Sequence, residues 1–469
     1  MKRIFLCIVT GLITLAASAL DLKVTPGTLR NELTALTSTT DEAVRISGEA
    51  NVTDLVLLRE LPAGVRTLDL SGLQIVAYTY QQGGYMNRLS YEANEIPPYM
   101  LFGTHISKLT LPAGVTRIGD AAFGLTPLDS FTTPATLETL GDYAFSGCTA
   151  LKEVEFTRPV NLGKGGFRNC RNLIRVRFGY DPLEIPASFF EGCSSLQTGV
   201  PASVSIVGER AYRGAGLSEV DLSNVSAVGD YAFADMKGLR NIIIPRSHDV
   251  VYGIGAFSND PELNDLSDWA GNIPDLLLAH SSTSGRNNVF LNTPEIGEGA
   301  FANNMSIDSL RLGKDVGLIR AHAFRNVKSL REINTVSLNK NVPAADLLSF
   351  SGLEGDDGRY DISLLVAPNS SSFWEEHPVW GLFTISEATG LDDLKEDTGG
   401  EISISLHNGT IEIIALSPIE NVEIFTTSGM TLLSATPGTT RFSADDLPSA
   451  EVLVVKVEAG NSVKVTKLR

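Results

Sequence analysis

The sequence predicts a mostly-β chain of the α+β kind. It reads as a solenoid of about twelve coils with a parallel sheet, followed by a small C-terminal β-sandwich. Two observations predict the solenoid. An apolar anchor recurs at Leu101, Phe123, Phe145, Phe167, Phe190, Tyr212, Phe233, Phe257, Leu278, Phe301, Phe324 and Leu347, so 246 residues are covered in eleven steps of 21 to 24. A period of this length means units that bury their apolar side only by stacking on neighbours. Around each anchor the flanking slots repeat as well. A third observation, short alternating strands after residue 400, predicts the sandwich.

Residues 1–19 have the layout of a signal peptide. Lys2 and Arg3 form the charged end, Ile4 to Ala17 the apolar stretch and "ASA" at Ala17–Ala19 the small-residue cleavage site. Fourteen residues are too few to span a bilayer, and no later stretch is long and apolar enough. The mature chain is therefore expected to be exported, without a transmembrane segment and monomeric. Removing Lys2 and Arg3 takes the net charge from −18 to −20. That acidity argues against nucleic acid as the main partner, which would need a basic footprint.

Residues 20–95 read as an N-terminal cap with a tyrosine-rich loop. Leu29, Leu33 and Leu36 fit one face of a short helix that would cover the first edge of the array. Residues 96–385 form the array. Five residues before the anchor stands Ile, Leu or Val in nearly every unit, with Tyr252 the exception. Four before it stands Gly in seven units and Pro in four, the latter at Pro97, Pro186, Pro274 and Pro343. Both mark a tight corner, glycine through its permissive angles and proline through its fixed φ. Directly before the anchor Ala recurs, letting coils approach closely. After it come alternating runs such as "LKEVEF" and "LIRVRF", which read as short strands with one face inward.

Three residues after the anchor stand Thr104, Thr126, Cys148, Cys170, Cys193, Ala215, Met236, Asp260, Ser281, Asn304, Val327 and Phe350. The slot varies from unit to unit and has no nearby histidine to activate a thiol, so the cysteines read as packing. A Cys148–Cys170 bridge between neighbouring coils is the alternative, and it would leave the third mature cysteine unpaired.

The units "IGDAAF", "LGDYAFSGCTALKEVEF" and "VGDYAFADMKGLRNIIIP" resemble the BspA-type leucine-rich repeat family of secreted bacterial surface proteins. The resemblance covers Leu101 to Ile385 and implies adhesion or interaction rather than catalysis. "LLVAPNSSSFWEEHPVWGLFTIS" resembles the closing segment of such arrays, with Trp380, Phe383 and Ile385 as a lid. A linker at 386–400 leads to residues 401–469, where "ISISLHNGTIEI" carries a hairpin signal at Asn408-Gly409. The "VEIFTTSGMTLLSA" run and the basic last strand resemble the C-terminal sorting domain of Bacteroidetes type IX secretion cargo. That implies export across the outer membrane; the alternative is an ordinary accessory sandwich.

Chemistry-bearing motifs are scarce. The six histidines are scattered, and no metalloprotease, phosphate-loop or nucleophile-elbow pattern occurs. "EGDDGRYD" at Glu354–Asp361 lacks a full calcium-loop pattern. The chain is thus expected to be no enzyme and to use no cofactor or metal. Three functions compete: a surface scaffold for a protein or glycan partner, a secreted glycan-active hydrolase, and a passive envelope component without a ligand. For the scaffold, Gln74–Met100 concentrates five tyrosines, and Tyr80, Tyr85 and Tyr91 are the candidate ligand-binding residues on an exposed patch. The competing reading packs these rings into the cap.

Overall fold

The computed structural model describes residues 20–34, 43–244, 250–263, 272–281, 287–388, 402–407, 410–415, 418–426, 431–439, 441–444, 453–459 and 462–468. The expected signal peptide, Leu36, the turn residues Asn408 and Gly409, and all but the first three residues of the expected linker lie outside them. Residues 20–388 form a mostly-β parallel solenoid. Its first strand, Leu20–Val24, pairs with Ala43–Ala50, which pairs with Thr67–Asp69, and that with Lys108–Thr110, all in parallel. The segment expected as a cap thus already belongs to the stack. Leu29–Thr34 is helical and buries Leu29 and Leu33. The buried Asp54 carboxylate accepts backbone N–H groups of Gly27, Leu29 and Asn51, tying this helix to the next turn of chain. Among the described residues, no helix is long and apolar enough to cross a membrane.

The anchors from Leu101 to Phe324 are all buried. Their rings stack along the array, with centroids 5.4 Å apart for Phe145–Phe167 and for Phe233–Phe257 and 5.3 Å for Phe301–Phe324. The final anchor differs from the expected one. Leu347 is 69% exposed, whereas Phe350 is buried and stacks on Phe324 at 5.3 Å. Ala345 pairs with Ile319, which puts Asp346 rather than Pro343 at the corner and lengthens the last step to 26 residues, from Phe324 to Phe350. The sequence offered a Leu at the usual distance, but the longer connection after Asn334 shifts the register. Trp380 and Phe383 then close the stack on Phe350, at 5.5 and 5.0 Å. Parallel pairing runs on to Glu387, two residues past the expected boundary.

The turn carrying each anchor has an unusual backbone. From Tyr99 to His322, the residue two before the anchor has positive φ, and the residue two after it does so from Gly103 to Gly352. Many of these are not glycine: Tyr143, Arg210, Tyr231 and Leu276 before, Leu125, Asn169 and Asp235 after. The two left-handed residues bracket the three residues centred on the anchor, and in this turn every second N–H points along the array axis. In one junction Tyr143, Phe145 and Gly147 donate to the carbonyls of Lys164, Gly166 and Arg168 at 2.7–2.9 Å, and the same three rungs recur from coil to coil. Such non-glycine conformations cost ~1–2 kcal/mol each, and the rungs, net ~1 kcal/mol each, together with ring burial offset that cost.

The corner glycines have a different reason from the one their sequence position suggests. Gly141 and Gly163 do not have positive φ. Instead, a Cβ on Gly163 would lie 2.5 Å from the Gly141 carbonyl carbon, so these glycines permit close approach of successive coils. Where Asp follows a corner glycine, as at Gly119, Gly141 and Gly229, it binds the next coil. Asp120 Oδ1 accepts the Asp142 N–H at 3.0 Å, and Asp142 Oδ1 the Lys164 N–H at 3.0 Å. The Gly-Asp pair is therefore one device, a close contact and the hydrogen bond it makes available.

The three cysteines are free and buried. Each thiol donates to the anchor carbonyl of the preceding coil: Cys148 to Phe123 at 3.1 Å, Cys170 to Phe145 at 3.0 Å and Cys193 to Phe167 at 3.0 Å. Burial holds the Cys170 thiol well above its ordinary range and pushes Cys193 up to about 12. They are hydrogen-bonding core residues, and Ser281 repeats the pattern by donating to the Phe257 carbonyl at 2.6 Å. Beyond the solenoid, the described strands form two antiparallel sheets, one of Ile402–His407, Thr410–Ala415 and Arg441–Ala444, the other of Ile419–Thr426, Thr431–Ala435, Leu453–Ala459 and Ser462–Leu468. A single apolar cluster that includes Ile411, Ile413, Val422, Ile424 and Val455 lies between them.

Phe145→Ala should destabilise the array by ~3–5 kcal/mol through the cavity it leaves, whereas Cys148→Thr should cost under ~1 kcal/mol because a hydroxyl can take over the thiol's bond. Urea denaturation of the two variants compares them, and a larger loss at Cys148 would refute the packing role.

Asp260 occupies the same slot fully buried, accepting the Met236 N–H at 2.8 Å, with its Oδ2 unpartnered. Burial raises its pKa well above the ordinary carboxylate range, and the nearby Asp235 carboxylate adds to this. Folding therefore takes up a proton at this site. The associated stability is full below the unfolded value of about 3.9 and is lost as pH rises through the folded pKa. Asp260→Ser, the residue of the next coil, should raise stability at pH 7 by ~1–3 kcal/mol, with the gain vanishing towards about pH 4. Denaturation midpoints at the two pH values check this, and a serine variant weaker at pH 7 contradicts it.

Candidate functional site

The turn rungs are directional. Every junction sends N–H groups towards the carboxy end and carbonyls towards the amino end, so the two ends of the array carry opposite unmet needs. At the carboxy end, the Leu348 and Gly352 N–H groups donate to the carboxylates of Asp346 at 2.8 Å and Glu354 at 2.7 Å. At the amino end, the first turn, around Leu101, presents carbonyls that no earlier coil reaches among the described residues. The tyrosine-rich segment reaches one of them, the Pro98 carbonyl.

Tyr78–Thr79 and Ser90–Tyr91 pair as an antiparallel hairpin. Its tip turns at Met86 and Asn87, both at positive φ, between Tyr85 and Arg88, whose N–H and carbonyl groups exchange bonds of 2.9 Å. A two-residue turn with both residues left-handed matches the twist of the flanking strands. The Tyr85 hydroxyl donates to the Pro98 carbonyl at 3.0 Å. Pro98 stands three residues before its anchor, next to Tyr99, whose N–H donates to the Asp120 carbonyl of the following coil. Tyr85 thus supplies the donor that a preceding coil would have provided. The Tyr91 hydroxyl in turn donates to the Tyr85 carbonyl at 2.9 Å, and Arg88 lies over the Tyr91 ring at 4.3 Å while pairing with Glu95 at 2.9 Å.

The structure brings Tyr80, Tyr85 and Tyr91 into one hairpin but does not expose all three. Tyr91 is only 3% exposed, which corrects the expectation of an exposed trio. Its ring can be buried because its hydroxyl reaches a backbone carbonyl of the same hairpin, that of Tyr85. Tyr85 is half-buried and tied at its tip. Burial raises the pKa of all three hydroxyls. Tyr80 is half-buried as well, with its ring edge-to-face against Tyr78 at 5.0 Å. Sequence reasoning missed the apolar side chains that stand out most, Met86 at 50% and Leu89 at 54% exposed. Their signal was an apolar pair set around an Asn turn inside an otherwise polar loop. The hairpin thus combines a buried Tyr91 and half-buried Tyr80 and Tyr85 with two exposed apolar side chains at and beside its tip, Met86 and Leu89. Among the described residues, no group of three or more His, Cys, Asp or Glu side chains could hold a metal ion.

Tyr85→Phe should cost ~1 kcal/mol by leaving the Pro98 carbonyl without its donor, while Tyr80→Ala should leave the denaturation midpoint within error. Equal effects would show that the hydroxyl does not cap the array.

No curated protein matches the chain. Among solved structures, a leucine-rich repeat protein from Bacteroides ovatus is 18% identical with a TM-score of 0.52, covering 79% of this chain and 92% of that one. A leucine-rich cell surface protein from Faecalibacterium prausnitzii is 20% identical with a TM-score of 0.42, covering 66% and 86%. A leucine-rich repeat protein from Eubacterium ventriosum is 18% identical with a TM-score of 0.38, covering 68% and 95%. At 18% identity the first of these is a likeness of fold alone. The profile described as the BspA type leucine-rich repeat region matches in six copies over residues 94–213, 183–271 and 285–352, more than half of the sequence. With the anchors, corners and rungs of those same residues in view, the chain belongs to the BspA-type leucine-rich repeat family.

Proposed function

We propose that the protein is an exported, surface-displayed scaffold that binds a protein or glycan partner without catalysing a reaction, and that the amino-terminal hairpin is one of its contact surfaces. The observation that supports this is the pair of exposed apolar side chains at and beside the hairpin's tip. Met86 and Leu89 are each about half exposed near the half-buried Tyr80, on a hairpin tied in place by hydroxyl–carbonyl bonds. Exposed apolar side chains gain free energy by leaving water, and a preorganised support keeps the entropic cost of docking low. Tyr80 is the contact residue, while Tyr85 and Tyr91 position it. In the same reading residues 1–19 are removed on export, and residues 401–469 serve as a type IX sorting domain; the resemblance of "VEIFTTSGMTLLSA" supports the latter.

An array of glycans and extracellular host proteins probed with the mature chain tests the reading. Binding to at least one member is expected, weakened ~10-fold or more by Tyr80→Ala combined with Leu89→Ala, with the denaturation midpoint unchanged. A blank array would favour a passive envelope component, and turnover of a glycan would favour the hydrolase.

A further inference from the structure

The stack has a seam between the coils anchored by Phe167 and Phe190. The strand Asn161–Leu162 pairs with Thr139–Leu140, and Glu184–Ile185 pairs with Ile206–Val207, but the two do not pair with each other. The cause is local. In the coil before, the Gly163 N–H donates to the Leu140 carbonyl at 2.8 Å. In the next coil that position is Pro186, which has no N–H to offer the Leu162 carbonyl. The Val160 carbonyl is taken by the Tyr180 hydroxyl at 3.2 Å. Phe189 replaces the small residue that usually precedes the anchor, and Gly166 opposite it makes room, since a Cβ there would lie 2.6 Å from the Phe189 ring. The anchor rings stand 6.2 Å apart across the seam, against 5.4 Å across the junction before it.

Pro274 occupies the same corner position in the coil of Leu278, but there the ladder is mended. The Asn272 carboxamide accepts the Tyr252 N–H at 2.8 Å and donates to the Tyr252 carbonyl at 3.1 Å. No carboxamide does this at the Pro186 seam among the described residues. Instead a cleft of about 390 Å³ opens, lined by Asn161, Leu162, Tyr180, Asp181, Leu183 and Glu184 together with flanking prolines. Leu183 at its rim is 71% exposed.

We propose that this cleft binds one unit of a glycan, a neutral hexose, by its edge. The unpaired strand edges offer backbone N–H and carbonyl groups, and Asn161, Asp181 and Glu184 add side-chain donors and acceptors. Sugar hydroxyls, each both donor and acceptor, match such a mixed set. The Tyr180 ring and Leu183 supply an apolar wall for the C–H face of the sugar. Two carboxylates at the cleft repel sulfate and uronate groups, which selects neutral sugars. An extended peptide fits less well. Immediately below the cleft the Gly165 N–H reaches the Ala187 carbonyl at 2.8 Å, so the strand edges are held too close together for a third strand, which needs ~4.8 Å on each side. The cleft lies in a different part of the array from the hairpin, so its failure would leave the hairpin reading standing.

Saturation-transfer NMR on the mature full-length chain, with glucose, galactose and mannose disaccharides and a glucuronate-containing counterpart, tests the assignment. Transfer to at least one neutral disaccharide and none to the glucuronate is expected. Tyr180→Ala should weaken binding ~10-fold or more, while Tyr180→Phe, which keeps the ring, stays within ~3-fold. Pro186→Ala restores an N–H to the missing rung and should weaken binding ~5-fold or more without lowering the denaturation midpoint, a readout that a purely structural role would not give. The proposal is overturned if no neutral sugar shows transfer or if Tyr180→Ala and Pro186→Ala both bind like the parent. A panel of extended peptides binding through Tyr180 where the sugars fail would equally overturn it.

Discussion

The array depends on the turn that carries each anchor. Two left-handed residues flank the buried ring and point alternate N–H groups along one axis, so one coil's donors meet the next coil's acceptors at fixed spacing. That spacing, near 5.4 Å between stacked rings, sets how closely the other faces of the coil can approach. The corner glycines and the small residues before the anchors follow from it as steric requirements. So does the pairing of large with absent side chains along the left-handed column: Gly165 lies beneath the Tyr143 ring and Gly255 beneath the Tyr231 ring, with a Cβ at either position placed within 2.5 Å of ring carbon.

A ladder whose donors all point one way cannot end without consequence. Each end is a row of unmet backbone groups, and burying such groups unpaired is costly. The protein meets the two ends with different chemistry because the ends differ in sign. Carboxylates of Asp346 and Glu354 receive the protruding N–H groups, while a phenol hydroxyl reaches a protruding carbonyl. The tyrosine hairpin is therefore first a terminus of the stack, and that structural duty ties the segment carrying the exposed Met86 and Leu89 to the first coil.

Regularity also explains where function can be placed. Within the uniform coils, backbone groups are consumed by neighbours and side chains by packing. Departures from the pattern free some of them. Pro186 removes one donor, Phe189 wedges apart two anchor rings, and a cleft forms between strand edges that elsewhere pair. Asp260 is a departure of another kind, a carboxyl group in a slot built for a small donor, and it makes the array sensitive to pH at a single coil.

The sequence by itself determined the solenoid, its anchors from Leu101 to Phe324, the buried role of the cysteines and the closing aromatic lid, because each of these lies in or beside a spacing that repeats. Periodic burial leaves a periodic trace. It did not determine the last anchor, since Leu347 kept the period while the register had slipped to Phe350, a fact that only strand pairing reveals. Nor did it show why glycine holds the corner: permissive angles and close approach leave the same letter in the sequence. The burial of Tyr91 and the exposure of Met86 and Leu89 were likewise decided by the tertiary structure, because all three lie outside any repeat. Tyr91 is buried with its hydroxyl on the Tyr85 carbonyl, in a hairpin that Tyr85 in turn ties to the first coil at Pro98.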